Sequence, residues 1–101
     1  MSSFRLPYPA KVVLLLPLKH PERLAPFVEE CLMDRVELIA VVGDGCVEIE
    51  NEIDELVVGD GSDKARFVTT SSHPDEPLAD VLSMAELWFT DGENRVELIC
   101  L

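Results

Sequence analysis

The chain has 101 residues, of which 48% are hydrophobic, and it carries a formal net charge of −12. This length and apolar content predict a single domain over residues 1–101 with its own core. The acidic excess disfavours binding to nucleic-acid phosphates and to anionic membrane surfaces. No apolar run reaches the roughly 20 residues of a membrane span, and the first residues lack a basic cluster, so we expect a cytoplasmic protein.

The first half of the chain predicts two strands and one helix after an extended lead-in. The lead-in, residues 1–10, shows no periodicity. Residues 12–16 are continuously apolar, as in a strand covered on both faces, and residues 36–42 form a second such run. Between them, residues 22–34 carry apolar side chains at helical spacing, which predicts an amphipathic helix.

The second half repeats this alternation. Residues 46–58 and 78–89 have helical periodicity, whereas residues 66–70 and 96–101 are rich in residues that favour strands. Strands that alternate with helices predict an α/β fold, here a three-layer sandwich with a four-stranded parallel sheet that resembles half of a flavodoxin or Rossmann fold.

Right-handed crossovers then favour the strand order 2-1-3-4, with the first helix on one face and the other two on the opposite face. The pentapeptide Arg-Val-Glu-Leu-Ile occurs at residues 35–39 and 95–99, and this order places both copies at sheet edges, where charges discourage aggregation. One sheet face stays partly bare, which predicts a homodimer. The apolar side chains available for it are Phe67, Val96 or Leu98, and Trp88.

In an open parallel sheet, ligands bind beyond the carboxyl ends of the strands at the point where the strand order reverses. The order 2-1-3-4 places this point between strands 1 and 3. The residues expected around it as ligand-binding or catalytic candidates are Lys19, His20, Asp44, Cys46, Thr70, Ser71, Ser72 and His73.

His20 and His73 are the candidates for general acid–base chemistry, since both fall near hydroxyls and a carboxylate at this edge. The alternative is structural, because each histidine precedes a proline, Pro21 or Pro74, at the entry to a helix. Neither interpretation is favoured by spacing alone.

The cysteines divide by position. Cys46 lies at a predicted helix N-terminus, which favours a reactive thiolate, although Asp44 and Glu48 oppose it. Cys31 and Cys100 fall in apolar segments and are predicted to be core residues.

Several chemistries lack their motifs. Gly43 and Gly45 begin a glycine-rich turn, but Glu48 occupies the position of the third glycine of a dinucleotide-binding loop and would repel a pyrophosphate. His20, Cys46 and His73 have no local metal-ligand spacing. We therefore predict no cofactor and no metal site.

The predicted helix at residues 46–58 has a strongly acidic face. Such a face is either simply solvated or binds a basic protein partner through salt-sensitive attraction. The carboxylates available to a partner are Glu48, Glu50, Glu52, Asp54 and Glu55.

Residues 66–78 read Arg-Phe-Val-Thr-Thr-Ser-Ser-His-Pro-Asp-Glu-Pro-Leu. This segment resembles a family of small uncharacterised bacterial α/β proteins, in which paired threonines precede a histidine, an acidic pair and Pro-Leu before a helix. The family often has an aromatic residue where this chain has Ser72. The resemblance implies a compact α/β domain and supplies no activity. The expected function is a non-enzymatic interaction or regulatory module; the alternative is a small-molecule-binding protein or minor hydrolase.

Overall fold

The computed structural model describes residues 7–62, 66–90 and 94–101. It contains four strands and three α-helices. In chain order these are β1 (Lys11–Leu15), α1 (Leu24–Met33), β2 (Leu38–Val42), α2 (Cys46–Val58), β3 (Thr69–His73), α3 (Leu78–Leu87) and β4 (Val96–Ile99), with one turn of 3-10 helix at Pro21–Arg23 before α1.

All four strands are parallel, which confirms the predicted α/β class with helices on both faces of one sheet. Their order is β3-β2-β1-β4, so the predicted order 2-1-3-4 is wrong. The reason lies in the side chains. Every residue of β2 is buried, as an interior strand requires, whereas β3 reads Thr-Thr-Ser-Ser-His and is only partly buried, which suits an edge. The predicted order placed Arg35 and Glu37 on an edge strand, but both precede the start of β2 at Leu38.

The assignment of helices to faces also differs from the prediction. The steps from β1 to β2 and from β2 to β3 run in one direction across the sheet, and right-handed crossovers therefore place α1 and α2 on the same face. Val12, Leu14, Ile39 and Val41 pack in that layer. The return from β3 to β4 reverses direction, so α3 covers the other face and packs on the second set of strand side chains, which are Val13, Leu38, Ala40 and Val42.

Lys11 is fully buried at the start of β1. Its Nζ donates hydrogen bonds to the carbonyl oxygens of Glu86 and Trp88, each at 3.0 Å, and to Oδ1 of Asn94. These carbonyls lie at the C-terminus of α3, where the helix dipole favours a cation. The charge therefore has the partners that burial demands, and it ties β1 to α3 and to the approach of β4.

Candidate functional site

The observed strand order moves the point where the sheet reverses. The chain leaves β1 toward β2 on one side, while β4 lies on the other side of β1. The crevice therefore opens between β1 and β4. The predicted location between strands 1 and 3 is wrong, because β2 separates them by two strand spacings, about 10 Å.

A cavity of about 480 Å³ occupies this crevice, and we call it the switch cavity. Its volume lies in the range of small-molecule sites, about 300–1,000 Å³. No acidic side chain lines it. The lining residues are Leu15, Leu16, Pro17, Lys19, His20, Arg23, Cys100 and Leu101.

Backbone hydrogen bonds hold the cationic loop of the switch cavity in place. The N–H groups of Lys19 and His20 both donate to the carbonyl oxygen of Leu101, at 2.7 and 3.4 Å. The Arg23 N–H donates to the His20 carbonyl at 2.9 Å and closes the 3-10 turn, which starts at Pro21. The loop after β1 is thus anchored to the segment after β4, and three basic side chains share one short turn.

The charge of the switch cavity is opposite to that of the protein. The chain has 8 Lys and Arg residues against 20 Asp and Glu residues, yet Lys19 and Arg23 line this one crevice. The Glu22 carboxylate lies 3.6 Å from His20 Nδ1, and both side chains are more than half exposed. Basic side chains beside an apolar wall can bind the charged group and the hydrocarbon part of an organic anion, respectively.

Of the lining residues, the sequence analysis indicated only Lys19 and His20; Cys100 and Arg23 are the reactive and the charged residue that it missed. Cys100 is exposed, so the prediction of a core residue is wrong for it, although Cys31 is buried as expected. Its side chain points outward because β4 is an edge strand that has ended by Ile99. Arg23 was outside the predicted site because that site assumed strand 3 beside strand 1.

Of the remaining predicted site residues, Asp44 and Cys46 follow β2 and His73 ends β3. Thr70, Ser71 and Ser72 lie within β3, so the prediction that Ser71 and Ser72 follow the third strand is wrong. Asp44 and Cys46 line a shallow hollow of about 200 Å³ together with Asp75. Cys46 is only 2% exposed, which keeps reagents from its thiol.

Side chains on the two faces of β3 make different contacts. Thr70 Oγ1 donates to Asp54 and Glu50 of α2, at 2.6 and 3.0 Å. On the other face, Ser71 Oγ lies 2.8 Å from His73 Nε2, and His73 Nδ1 lies 2.9 Å from Oε2 of Glu76, a residue that the sequence analysis did not single out.

A further cavity of about 580 Å³ lies at the amino ends of β2 and β3. Arg35, Phe67 and Trp88 contribute to its wall. The guanidinium of Arg66 also lines it, but this group is engaged by Glu29 and by main-chain carbonyls. The cavity therefore has one cation, Arg35, for which no partner is recorded in the described chain.

Residues 7–62, 66–90 and 94–101 include no group of His, Cys, Asp and Glu side chains arranged to hold a metal ion. Within the same ranges, no helix has the length and apolar character needed to cross a membrane. Comparison of the chain with protein-family models, with curated proteins and with solved structures gives no significant match.

Proposed function

We propose that the protein binds a small organic anion, a carboxylate or phosphate attached to a short apolar group, in the switch cavity. The observation that carries the proposal is the convergence of Lys19, His20 and Arg23 on the crevice between β1 and β4. Basic side chains with no acidic side chain among the lining residues are what charge-assisted recognition of an anion requires.

The apolar part of the ligand follows from the rest of the lining. Leu15, Leu16 and Leu101 provide hydrocarbon surface beside the cations. A cationic ligand is disfavoured by Lys19 and Arg23, and a large polyanion is disfavoured by the net charge of −12 around the cavity. A small monoanion or dianion with an apolar tail satisfies both constraints.

Cys100 offers a direct readout of occupancy, because it lines the switch cavity and is the exposed member of the three free cysteines. We would measure its alkylation by iodoacetamide, and the melting temperature, with phosphate, acetate, butyrate and benzoate as probes. Binding is expected to slow alkylation of Cys100 and to raise the melting temperature as probe concentration increases.

Lys19→Met and Arg23→Met are the test variants, and Arg35→Met is the matched control, since it removes one cation at the opposite end of the sheet. Loss of a charge-assisted contact costs about 1.5–3 kcal/mol, or roughly tenfold or more in affinity. Equal protection of Cys100 in the wild type and in both test variants would contradict the proposal, as would protection by none of the probes.

A second candidate function is binding of a basic, extended peptide along β3. The specific observation is that β3 is an uncharged edge strand whose Thr70 contacts Glu50 and Asp54 of the acidic helix α2. Strand addition supplies main-chain hydrogen bonds, and lysine side chains of the added strand meet these carboxylates. A lysine-containing peptide that binds at low salt, and less tightly to Glu50→Gln/Asp54→Asn, supports this function; salt-independent binding argues against it.

We also retain the homodimer predicted from the sequence as a proposal. Phe67 is 74% exposed and Leu98 is 41% exposed, which leaves apolar surface available to a second copy. Light scattering at micromolar concentration distinguishes a dimer of twice 11.2 kDa from a monomer.

The free cysteines support the expected cytoplasmic location, since reducing compartments keep thiols unpaired.

A further inference from the structure

A second set of reactive side chains lies on β3, away from the switch cavity. Ser71 and His73 face the α3 side of the sheet, because their register partners Ala40 and Val42 belong to the layer that packs on α3. Ser71 Oγ, the His73 imidazole and the Glu76 carboxylate form a continuous hydrogen-bonded chain, with distances of 2.8 and 2.9 Å.

The chemistry of the partners assigns the proton positions. An ionised Glu76 carboxylate can only accept a hydrogen bond, so His73 Nδ1 carries the proton that is donated to it. In the tautomer whose proton is on Nδ1, the imidazole has a lone pair on Nε2, which accepts the Ser71 hydroxyl proton. This is the order of roles in a nucleophile–base–carboxylate triad, in which geometry and roles define the site whatever the sequence positions.

We propose that Ser71 is the nucleophile of an acyl-transfer site, with His73 as its general base and Glu76 as the residue that positions the imidazole. The substrate class is a small, neutral or cationic carboxylic ester. The exposed carboxylates of Asp75 and Glu76 in the adjoining turn repel an anionic one. This inference is independent of the switch cavity, because that cavity lies between β1 and β4, and β2 separates β1 from β3.

In the first half-reaction, Ser71 Oγ bonds to the ester carbonyl carbon while its proton moves to His73 Nε2. The bond from the carbonyl carbon to the alkoxy oxygen breaks, and the leaving alcohol takes the proton from Nε2. In the second half-reaction, water gives a proton to Nε2 and its oxygen attacks the acyl-serine. The bond from the acyl carbon to Ser71 Oγ breaks, the carboxylic acid is released, and the proton on Nε2 returns to Ser71 Oγ.

The surroundings of the triad allow this chemistry. The His73 side chain is 12% exposed, which limits its hydration, while Ser71 is partly exposed and accessible. The Thr69 N–H donates to the backbone carbonyl oxygen of Glu37, on the side of β2. Successive N–H groups of a strand point to opposite sides, so the Ser72 N–H, three residues later, points away from β2 to the open edge of the sheet. There it is available to a substrate carbonyl oxygen.

Diisopropyl fluorophosphate, a neutral probe that phosphorylates activated serines with loss of fluoride, tests the proposal in the wild-type protein. Peptide mapping by mass spectrometry is expected to place one adduct on Ser71 and none on Ser72, its neighbour on the opposite face. An adduct spread equally over both serines, or labelling only after unfolding, would overturn the proposal.

Four variants complete the test, each with its melting temperature as the check on folding. Ser83→Ala, which changes an exposed serine of α3, should label as the wild type does, whereas Ser71→Ala should lose the adduct. His73→Asn should slow labelling by about 100-fold, the lower end of a general base's contribution. Glu76→Gln should also slow labelling and should remove the hydrogen-bonded Nδ1 proton resonance of His73 from the NMR spectrum. Labelling at the wild-type rate in a folded His73→Asn variant would exclude the base assigned here.

Discussion

Arg66 binds Glu29 through two parallel hydrogen bonds, Nη1 to Oε1 at 3.0 Å and Nη2 to Oε2 at 2.6 Å. The same guanidinium donates from Nε and Nη2 to the carbonyl oxygens of Val57 and Leu56, at 2.8 and 2.9 Å. One side chain thus caps the C-terminus of α2, where the helix dipole favours a cation, and joins it to α1.

This pair gives a pH-dependent contribution to stability. The hydrogen bond from Arg66 holds the pKa of the Glu29 carboxyl below its ordinary value of 4.5. A carboxyl with a lower pKa in the folded state stabilises the fold above its unfolded pKa, and the contribution is lost as pH falls through the folded pKa. Because Glu29 is half exposed, we expect Glu29→Gln to cost only about 0.5–1 kcal/mol at pH 7.

Chemical denaturation of the wild type and of Glu29→Gln between pH 7 and pH 3 measures this contribution. The difference in unfolding free energy should shrink as the pH falls below the ordinary glutamate pKa of 4.5. Glu52→Gln, an exposed residue of α2, is the control for the change in net charge. A difference that grows toward low pH would refute the assignment.

Lys11→Met is expected to destabilise the protein, although it replaces a buried charge by an apolar side chain of similar length. The carbonyls of Glu86 and Trp88 would lose the donor of two partly buried hydrogen bonds. The loss of such hydrogen bonds to a charged group is expected to cost about 1–3 kcal/mol. Urea denaturation measures the loss, and Lys19→Met, at an exposed position, should change stability little. An unchanged midpoint for Lys11→Met would show that the three hydrogen bonds contribute nothing.

Arg35→Gly is expected to stabilise the protein. Arg35 has a φ of 60° just after α1. The Arg35 N–H donates to Leu32 and the Val36 N–H donates to Cys31, at 3.2 and 2.9 Å. This is the Schellman arrangement, in which glycine fits the left-handed residue and a side chain costs about 1–2 kcal/mol. Arg35→Ala keeps the Cβ atom and should give no such gain. A melting temperature that rises equally in both variants would point to the charge instead of the backbone.

Gly43→Ala is expected to cost more than Gly61→Ala, although both glycines have positive φ, 116° and 81°. A Cβ atom on Gly43 would lie 3.1 Å from the Leu16 carbonyl oxygen and Cβ, whereas no atom of residues 7–62, 66–90 and 94–101 lies within 4 Å of a Cβ on Gly61. Gly61→Ala therefore reports backbone strain alone, about 1 kcal/mol, and Gly43→Ala adds a steric clash. Equal losses in thermal denaturation would contradict the close approach.

The number and type of the regular elements could be predicted from hydrophobic periodicity, because burial on one or both faces is a local property of the sequence. The bounds of α2, for example, agree with those predicted. Strand order is not local. The apolar sequence of β2 and the hydroxyl-rich sequence of β3 indicate that β2 is an interior strand and β3 an edge strand. The charges of Arg35 and Glu37 just before β2 were compatible with the opposite assignment.

The candidate site was predictable only in part, for the same reason. Lys19 and His20 follow the first strand in any strand order, so their place at a carboxyl end is a consequence of the α/β class. Cys100 and Leu101 join them only because β4 lies beside β1. The contact of Glu76 with His73 depends on a turn in which Asp75 has a φ of 63°, and no sequence pattern indicated that conformation.

The burial of Lys11 also bears on how the central strand finds its alignment. The residues that follow it, Val-Val-Leu-Leu-Leu, are apolar on both faces, so a slip of one position against β2 would exchange one hydrocarbon side chain for another at little cost. Lys11 removes this degeneracy, because a slip carries its ammonium group away from the carbonyls of α3 and into the layer beneath α1. A single charge thereby favours the observed register of β1 over one shifted by one residue, between which the hydrophobic side chains alone do not discriminate.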